Sequence, residues 1–132
     1  MAVNDPIADM LTRIRNALRN RAKTVDCLNS RVCRGVGDVL RDEGYIQGYD
    51  VIDDGRQGIL RVKLKYGPRG EVVLNRLTRI SKPGCRVYRG VEDLPRPVQG
   101  LGIAVVSTSR GVLSDRRCRE QRVGGEWLAT VE

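Results

Sequence analysis

The chain contains no histidine and no phenylalanine. Without histidine the commonest general base is missing, so nucleophilic catalysis of the Ser-His or Cys-His kind is excluded and an enzyme is not expected. With one tryptophan and four tyrosines as its only aromatic residues, the chain also lacks the strand-borne rings on which RRM and OB modules stack single-stranded bases. Long apolar runs are absent too. No stretch approaches the roughly 18 residues needed to cross a bilayer, and the amino terminus shows no basic, apolar leader, so a cytoplasmic protein is expected.

Cys27, Cys33, Cys85 and Cys118 show no C-x-x-C spacing. A zinc site without histidine would need all four thiolates, so the expectation is separate reduced thiols packed as small hydrophobes, with no metal and no cofactor. Clustered carboxylates at Asp42-Glu43, Asp50, Asp53 and Asp54 could hold Mg²⁺ in a nuclease. They flank a predicted turn and a helix end, however, where charged residues are ordinary.

What the chain does have is positive charge. Its 24 basic residues exceed 16 acidic ones for a net +8, which points to an anionic partner, nucleic acid first. Only four of the basic residues are lysine. A guanidinium can fork onto phosphate or stack on a base, although a GC-rich coding bias would produce the same preference.

Residues 6–18 place Ile7, Met10, Leu11, Ile14 and Leu18 at helical spacing, with Asp5 as N-cap and Pro6 at the first helical position. The opposite face carries Arg13, Arg15, Asn16 and Arg19, either solvated or facing phosphate. Thr24 to Leu28 reads as a strand. Ser30 then caps a second helix running to Glu43, with Val32, Val36, Val39 and Leu40 inward and Gly44 ending it. Gly35 and Gly37 within it each cost about 1 kcal/mol relative to alanine, and so mark close packing against a sheet.

Tyr45 to Asp53 and Ile59 to Tyr66 flank the turn-rich segment Asp53–Gly58, and the second run alternates Leu60, Val62, Leu64 with Arg61, Lys63, Lys65, a half-buried strand with a basic face. A boundary falls near Gly67–Gly70. The expectation is α+β, with an amino-terminal α/β domain at residues 1–70 and a mainly β domain with one short helix at 71–132. In the second, strands are expected at Val72 to Leu74, Arg86 to Tyr88, Ile103 to Val106 and Trp127 to Val131, with a helix capped by Ser114 running to about Arg122. Residues 67–132 hold 12 basic and 7 acidic residues against 12 and 9 in residues 1–66. The better electrostatic candidate is therefore the second half.

In Gly100–Gly111, GLGIAVVSTSRG, an apolar strand ends in Ser107, Thr108, Ser109, Arg110 and a glycine. Side chains alternate along a strand, so three successive hydroxyls cannot all enter a core. They either satisfy backbone groups in a turn or reach base edges, ribose hydroxyls and phosphates. Gly124-Gly125-Glu126 is open in the same way: glycines that admit a ligand or make a turn, and an acid that orients a cation or accepts from a base.

DPIADMLTRIRNA, SKPGCRVY, GLGIAVVSTSRGVLSDR and VGGE together resemble the bacterial small-subunit ribosomal protein S-eight family, nearly end to end. The resemblance implies a two-domain α+β structural constituent of the small subunit. It implies binding to the central domain of 16S-type ribosomal RNA early in assembly, help in building the platform, and contact with neighbouring ribosomal proteins. It places the main contacts in the carboxy-terminal domain, at Ser107, Thr108, Ser109, Tyr88, Gly124, Gly125 and Glu126. Arg86, Arg110 and Arg116 would position phosphates, and the motif of the first helix, Asp5 to Ala17, includes Arg13, Arg15 and Asn16. The chain departs from the family where Cys33 stands in place of a lysine, for which Arg31 and Arg34 are the substitutes. Trp127, Ala129 and Thr130 also depart, implying a repacked last strand.

Overall fold

The computed structural model describes residues 5–132. They fold as α+β in two compact units, Met1–Asn75 and Arg76–Glu132. In the first, helices α1 (Pro6–Arg19) and α2 (Arg31–Asp42) alternate with strands β1 (Thr24–Leu28), β2 (Ile46–Ile52) and β3 (Ile59–Leu64). The strands form an antiparallel sheet of order β1-β3-β2.

Each helix starts where a short polar side chain satisfies a free amide: Asp5 accepts from the Ala8 amide at 3.2 Å and Ser30 from the Cys33 amide at 3.1 Å. Met10, Leu11 and Ile14 of α1 and Val36 and Leu40 of α2 are buried, as are Leu60, Val62 and Leu64 of β3. Each such side chain contributes about 1.5 to 3 kcal/mol. Val32, expected inward, is exposed, and the neighbouring Cys33 is fully buried instead. A helical stripe about 100° wide admits one of these adjacent positions, not both. Gly37 does mark close packing: a Cβ there would lie 2.9 Å from the Tyr49 ring, whose hydroxyl donates to Asp38 at 2.8 Å.

The basic face expected of β3 is largely neutralised. Arg61 forks onto Asp26 of β1 at 2.8 and 3.2 Å, and Lys63 meets Asp50 of β2 at 3.1 Å. Because Asp26 and Asp50 are both in register with Arg61, a cation sits between two acids across three strands. Its hydrogen bonds hold the Asp26 carboxyl below the ordinary carboxylate range.

The second unit holds β4 (Leu77–Arg79), β5 (Tyr88–Arg89), β6 (Ile103–Thr108), β7 (Gly111–Ser114), α3 (Asp115–Gln121) and β8 (Gly125–Val131). The sheet order is β4-β8-β6-β7, with β5 also on β8. No strand forms at Val72 to Leu74, where Val72 makes only an isolated bridge to Tyr66. A one-residue shift between Val105 and Val106 leaves Leu128 as the extra residue of a bulge. Trp127 and Thr130 are consequently opposite Val106 and Ala104, on one face, where Trp127 packs on Leu94, Ala104, Val106 and Cys118. Buried Asp115 ties α3 to β6 by accepting from the Ala104 amide at 3.0 Å and pairing with Arg119.

All four cysteines are unpaired. Cys27, Cys33 and Cys118 are buried as expected, whereas Cys85 is exposed in a loop. Burial pushes the Cys27 thiol up to about 12 and the Cys118 thiol to about 11.

Candidate nucleic-acid interface

The three hydroxyls after β6 have different fates. Ser109 and Arg110 form the tip of the β6–β7 hairpin, closed by Gly111 at φ 108°, a left-handed position that favours glycine. The Thr108 hydroxyl is used locally: it donates to the Gly111 carbonyl at 2.7 Å and accepts from the Arg110 amide at 3.0 Å. The Ser107 and Ser109 hydroxyls and the Arg110 guanidinium have no partner among the described residues, and both Ser109 and Arg110 are exposed. Thr108 builds the turn; the others remain available to a ligand.

Beside the hairpin, Tyr88 of β5, Glu126 of β8 and Ser107 of β6 are in mutual register. Residues opposite one another in a ladder share a face, so ring, carboxylate and hydroxyl form one row. Tyr88 is 63% exposed. Glu126 is not left bare: its Oε2 accepts from Arg86 at 2.9 Å and from the Ser81 hydroxyl at 2.6 Å. Ser81 is fully buried, and its Oγ also accepts from the Val87 amide at 3.0 Å. Lys82 and Cys85 exchange backbone hydrogen bonds at 3.0 and 2.9 Å. The 81–88 loop is thus pinned at its base with Lys82, Arg86 and Tyr88 outward.

The glycine pair next to Glu126 neither makes a simple turn nor leaves room for a ligand. A Cβ on Gly124 would lie 2.4 Å from the Arg89 carbonyl, and one on Gly125 would lie 2.1 Å from the Ser107 carbonyl. The space is filled by the protein's own neighbouring strands, which is how Tyr88 and Ser107 come so close to Glu126.

Among the described residues no group of three or more His, Cys, Asp or Glu side chains could hold a metal ion, and no helix is long and apolar enough to cross a membrane. Asp53 and Asp54 accept from the turn amides of Gly55, Arg56 and Gly58. A model of the ribosomal protein S8 family matches residues 5–131. The chain is 52% identical to the small ribosomal subunit protein uS8 of Caldicellulosiruptor bescii and 51% identical to that of Clostridioides difficile, over 99% of this chain and of each relative. The Streptococcus pneumoniae protein of the same name is 48% identical over the same shares.

The chain belongs to the ribosomal protein S8 family. It is accordingly a ribosomal protein of the small subunit. Of the residues that the S8 resemblance singled out, Ser107, Thr108, Ser109, Arg110, Tyr88, Arg86, Gly124, Gly125 and Glu126 lie together on adjoining strands and loops. Arg116 does not join them. It bonds the Gly100 carbonyl, in the turn that precedes β6, with the length of that strand, about 20 Å, between it and the hairpin tip.

In the first unit Asp5 caps α1, Arg13 pairs with Asp9 at 2.9 Å, and Arg15 donates to Thr12 at 3.3 Å. Asn16 and Arg31 are exposed. Cys33 donates towards the Pro6 carbonyl at 3.7 Å from a fully buried site. Sequence reasoning missed Ser81. Its signals were its place at the head of the motif SKPGCRVY and its position two residues before Pro83-Gly84, a pattern shared by many ordinary turns.

Proposed function

We propose that the second unit binds a structured, irregular segment of the central domain of 16S-type ribosomal RNA, as a primary binder that helps assemble the platform of the subunit. The observation that carries this reading is the row Tyr88–Glu126–Ser107 beside the open Ser109-Arg110 tip. Tyr88 offers a ring to a base or sugar, Ser107 and Ser109 offer small donors and acceptors, and Arg86, Arg110 and Lys82 offer cations. Pairing with Arg86 prevents Glu126 from repelling phosphate. Asn16, Arg15 and Arg31 of the first unit supply secondary phosphate contacts. Arg116 is left out because it is turned to Gly100.

Tyr88→Ala and Ser109→Ala should each weaken binding to a central-domain fragment by roughly 1 to 3 kcal/mol at fixed salt. Thermal stability should change little, because both side chains are exposed. Unchanged dissociation constants for both variants would remove the assigned surface. Equal affinity for structured and unstructured RNA at matched salt would instead favour a general single-strand binder.

A further inference from the structure

The second unit carries a different surface at the other end of β6. Between Pro97 and Leu101 the chain passes through three successive left-handed residues: Val98 at φ 49°, Gln99 at φ 55° and Gly100 at φ 94°. Glycine adopts this conformation readily, whereas a β-branched valine in it is a steric outlier. The turn does not bury its apolar side chains. Val98 is 48% exposed and Leu101 79%, the highest value among the exposed large hydrophobics of the described residues.

The turn is over-determined from behind. The Leu101 amide donates to the Val98 carbonyl and the Gly102 amide to the Pro97 carbonyl, both at 3.0 Å. Two arginines of α3 reach across, Arg116 to the Gly100 carbonyl and Arg119 to the Pro95 carbonyl at 3.4 Å. Gly102 is locked on β8, since a Cβ there would lie 2.7 Å from the Val131 carbonyl. A strained conformation persists where its surroundings impose it, and such sites cluster at active sites, ligand clamps and switch regions.

We propose that the Val98–Leu101 turn is a rigid knob that docks on a neighbouring protein of the small subunit, in an apolar recess flanked by carboxylates. Aliphatic side chains give RNA nothing to hydrogen-bond and gain only by leaving water against other apolar groups, which selects protein over nucleic acid. The charge around the knob selects an acidic partner: residues 95–102 contain Arg96 and no acid, Arg96 has no partner among the described residues, and Glu132, which adjoins Gly102, is offset by Arg76 at 3.9 Å. A groove of about 350 Å³ adjoins the knob, its apolar wall formed by Ile80, Pro95, Pro97 and Trp127 and its charged rim by Arg76, Arg96 and Glu132. It has room for an apolar side chain of the same partner. The arginines of α3 then serve this surface by setting its shape rather than by touching phosphate.

A photoreactive benzophenone amino acid at position 101, in small subunits assembled with the full chain, tests this directly. The expected crosslink is to a polypeptide segment with aliphatic residues and at least two carboxylates nearby. A crosslink to ribosomal RNA, to a basic segment, or to nothing would overturn the proposal. In parallel, Leu101→Asp should leave the affinity for the central-domain fragment within twofold while reducing stable incorporation of the crosslinked partner at least tenfold. Leu101→Ala should reduce it less. Incorporation unchanged in both variants would also overturn the proposal, whatever the outcome at Tyr88 and Ser109.

Discussion

Each unit carries a row of three side chains across three strands, and the two rows are opposites. In the first unit Asp26, Arg61 and Asp50 place a cation between two acids. In the second, Tyr88, Glu126 and Ser107 place an acid between a ring and a hydroxyl, and the acid is satisfied from outside the row by Arg86 and Ser81. The first row is closed within its own sheet. The second leaves two of its three members open. Net charge alone does not distinguish a self-neutralised face from a recognition face; what matters is which groups remain unsatisfied.

The hardest blow to this contrast should come at the glycines that set the strand spacing. Gly125→Ala forces a Cβ against the Ser107 carbonyl and should destabilise the protein by about 3 kcal/mol, seen as a lowered thermal midpoint. Gly37→Ala in the first unit meets the edge of the Tyr49 ring instead. A side chain can yield where a backbone carbonyl cannot, so the loss there should be nearer 1 kcal/mol. Equal losses would mean that the second row does not depend on close strand approach.

Ser81→Ala should come next. It leaves the Val87 amide without its acceptor and removes one donor from Glu126, costing about 1 to 2 kcal/mol of stability in denaturant titration. It should also weaken ribosomal RNA binding by releasing the loop that carries Tyr88. Arg61→Ala, its counterpart in the closed row, should lower stability less than Ser81→Ala does, since the pair is exposed and screened by solvent, and leave RNA affinity unchanged. Loss of RNA affinity in Arg61→Ala would show that the closed row is not closed.

The α+β class, the order of elements in the first unit and both long-helix caps were legible because they depend on local signals: hydrophobic period, Asp5 and Ser30 as caps, and Gly44 as terminator. In the second unit the short strands β4 and β7 were not read, and the strand expected at Val72 to Leu74 does not form. The misreadings involve partners distant in sequence. The charge of β3 looked basic because Asp26 lies 35 residues before Arg61, and only the sheet brings them together. Val32 and Cys33 are equally apolar neighbours, and the helix phase that separates them is set by packing. Ser81 and Glu126 lie 45 residues apart. The site motifs were visible through family resemblance, but the support beneath them was not.

A smaller effect distinguishes the rows by pH. The folded-state pKa of Asp26 is lowered, so its contribution is present above the unfolded value near 4 and is lost as pH falls through the folded one. The stability difference between the unmodified protein and Arg61→Ala should therefore shrink as pH falls below about 4. A constant difference would show that Arg61 acts by packing alone. The smallest effect belongs to Cys85→Ser, which should leave stability unchanged and abolish thiol labelling of the folded protein, because Cys27, Cys33 and Cys118 are buried. Labelling that persists would reveal opening around one of those three.

The bulge at Leu128 bears on which changes of length the last strand can absorb. Because Val105 and Val106 face Ala129 and Trp127 with Leu128 between them, the ladder on either side is in opposite phase along β8. Deleting Leu128 would join two segments already in step with β6. It would also put them out of step with residues 79–81 on the other side of β8, where the Ile80 amide donates to the Leu128 carbonyl and the Ser81 amide to the Trp127 carbonyl. Adding a residue would turn one segment over, sending either the recognition row or the core stripe to the wrong side of the sheet. Length variation in this strand is therefore constrained from both sides: a shorter β8 loses step with the segment whose Ser81 holds Glu126, while a longer one must add to a bulge that already exists.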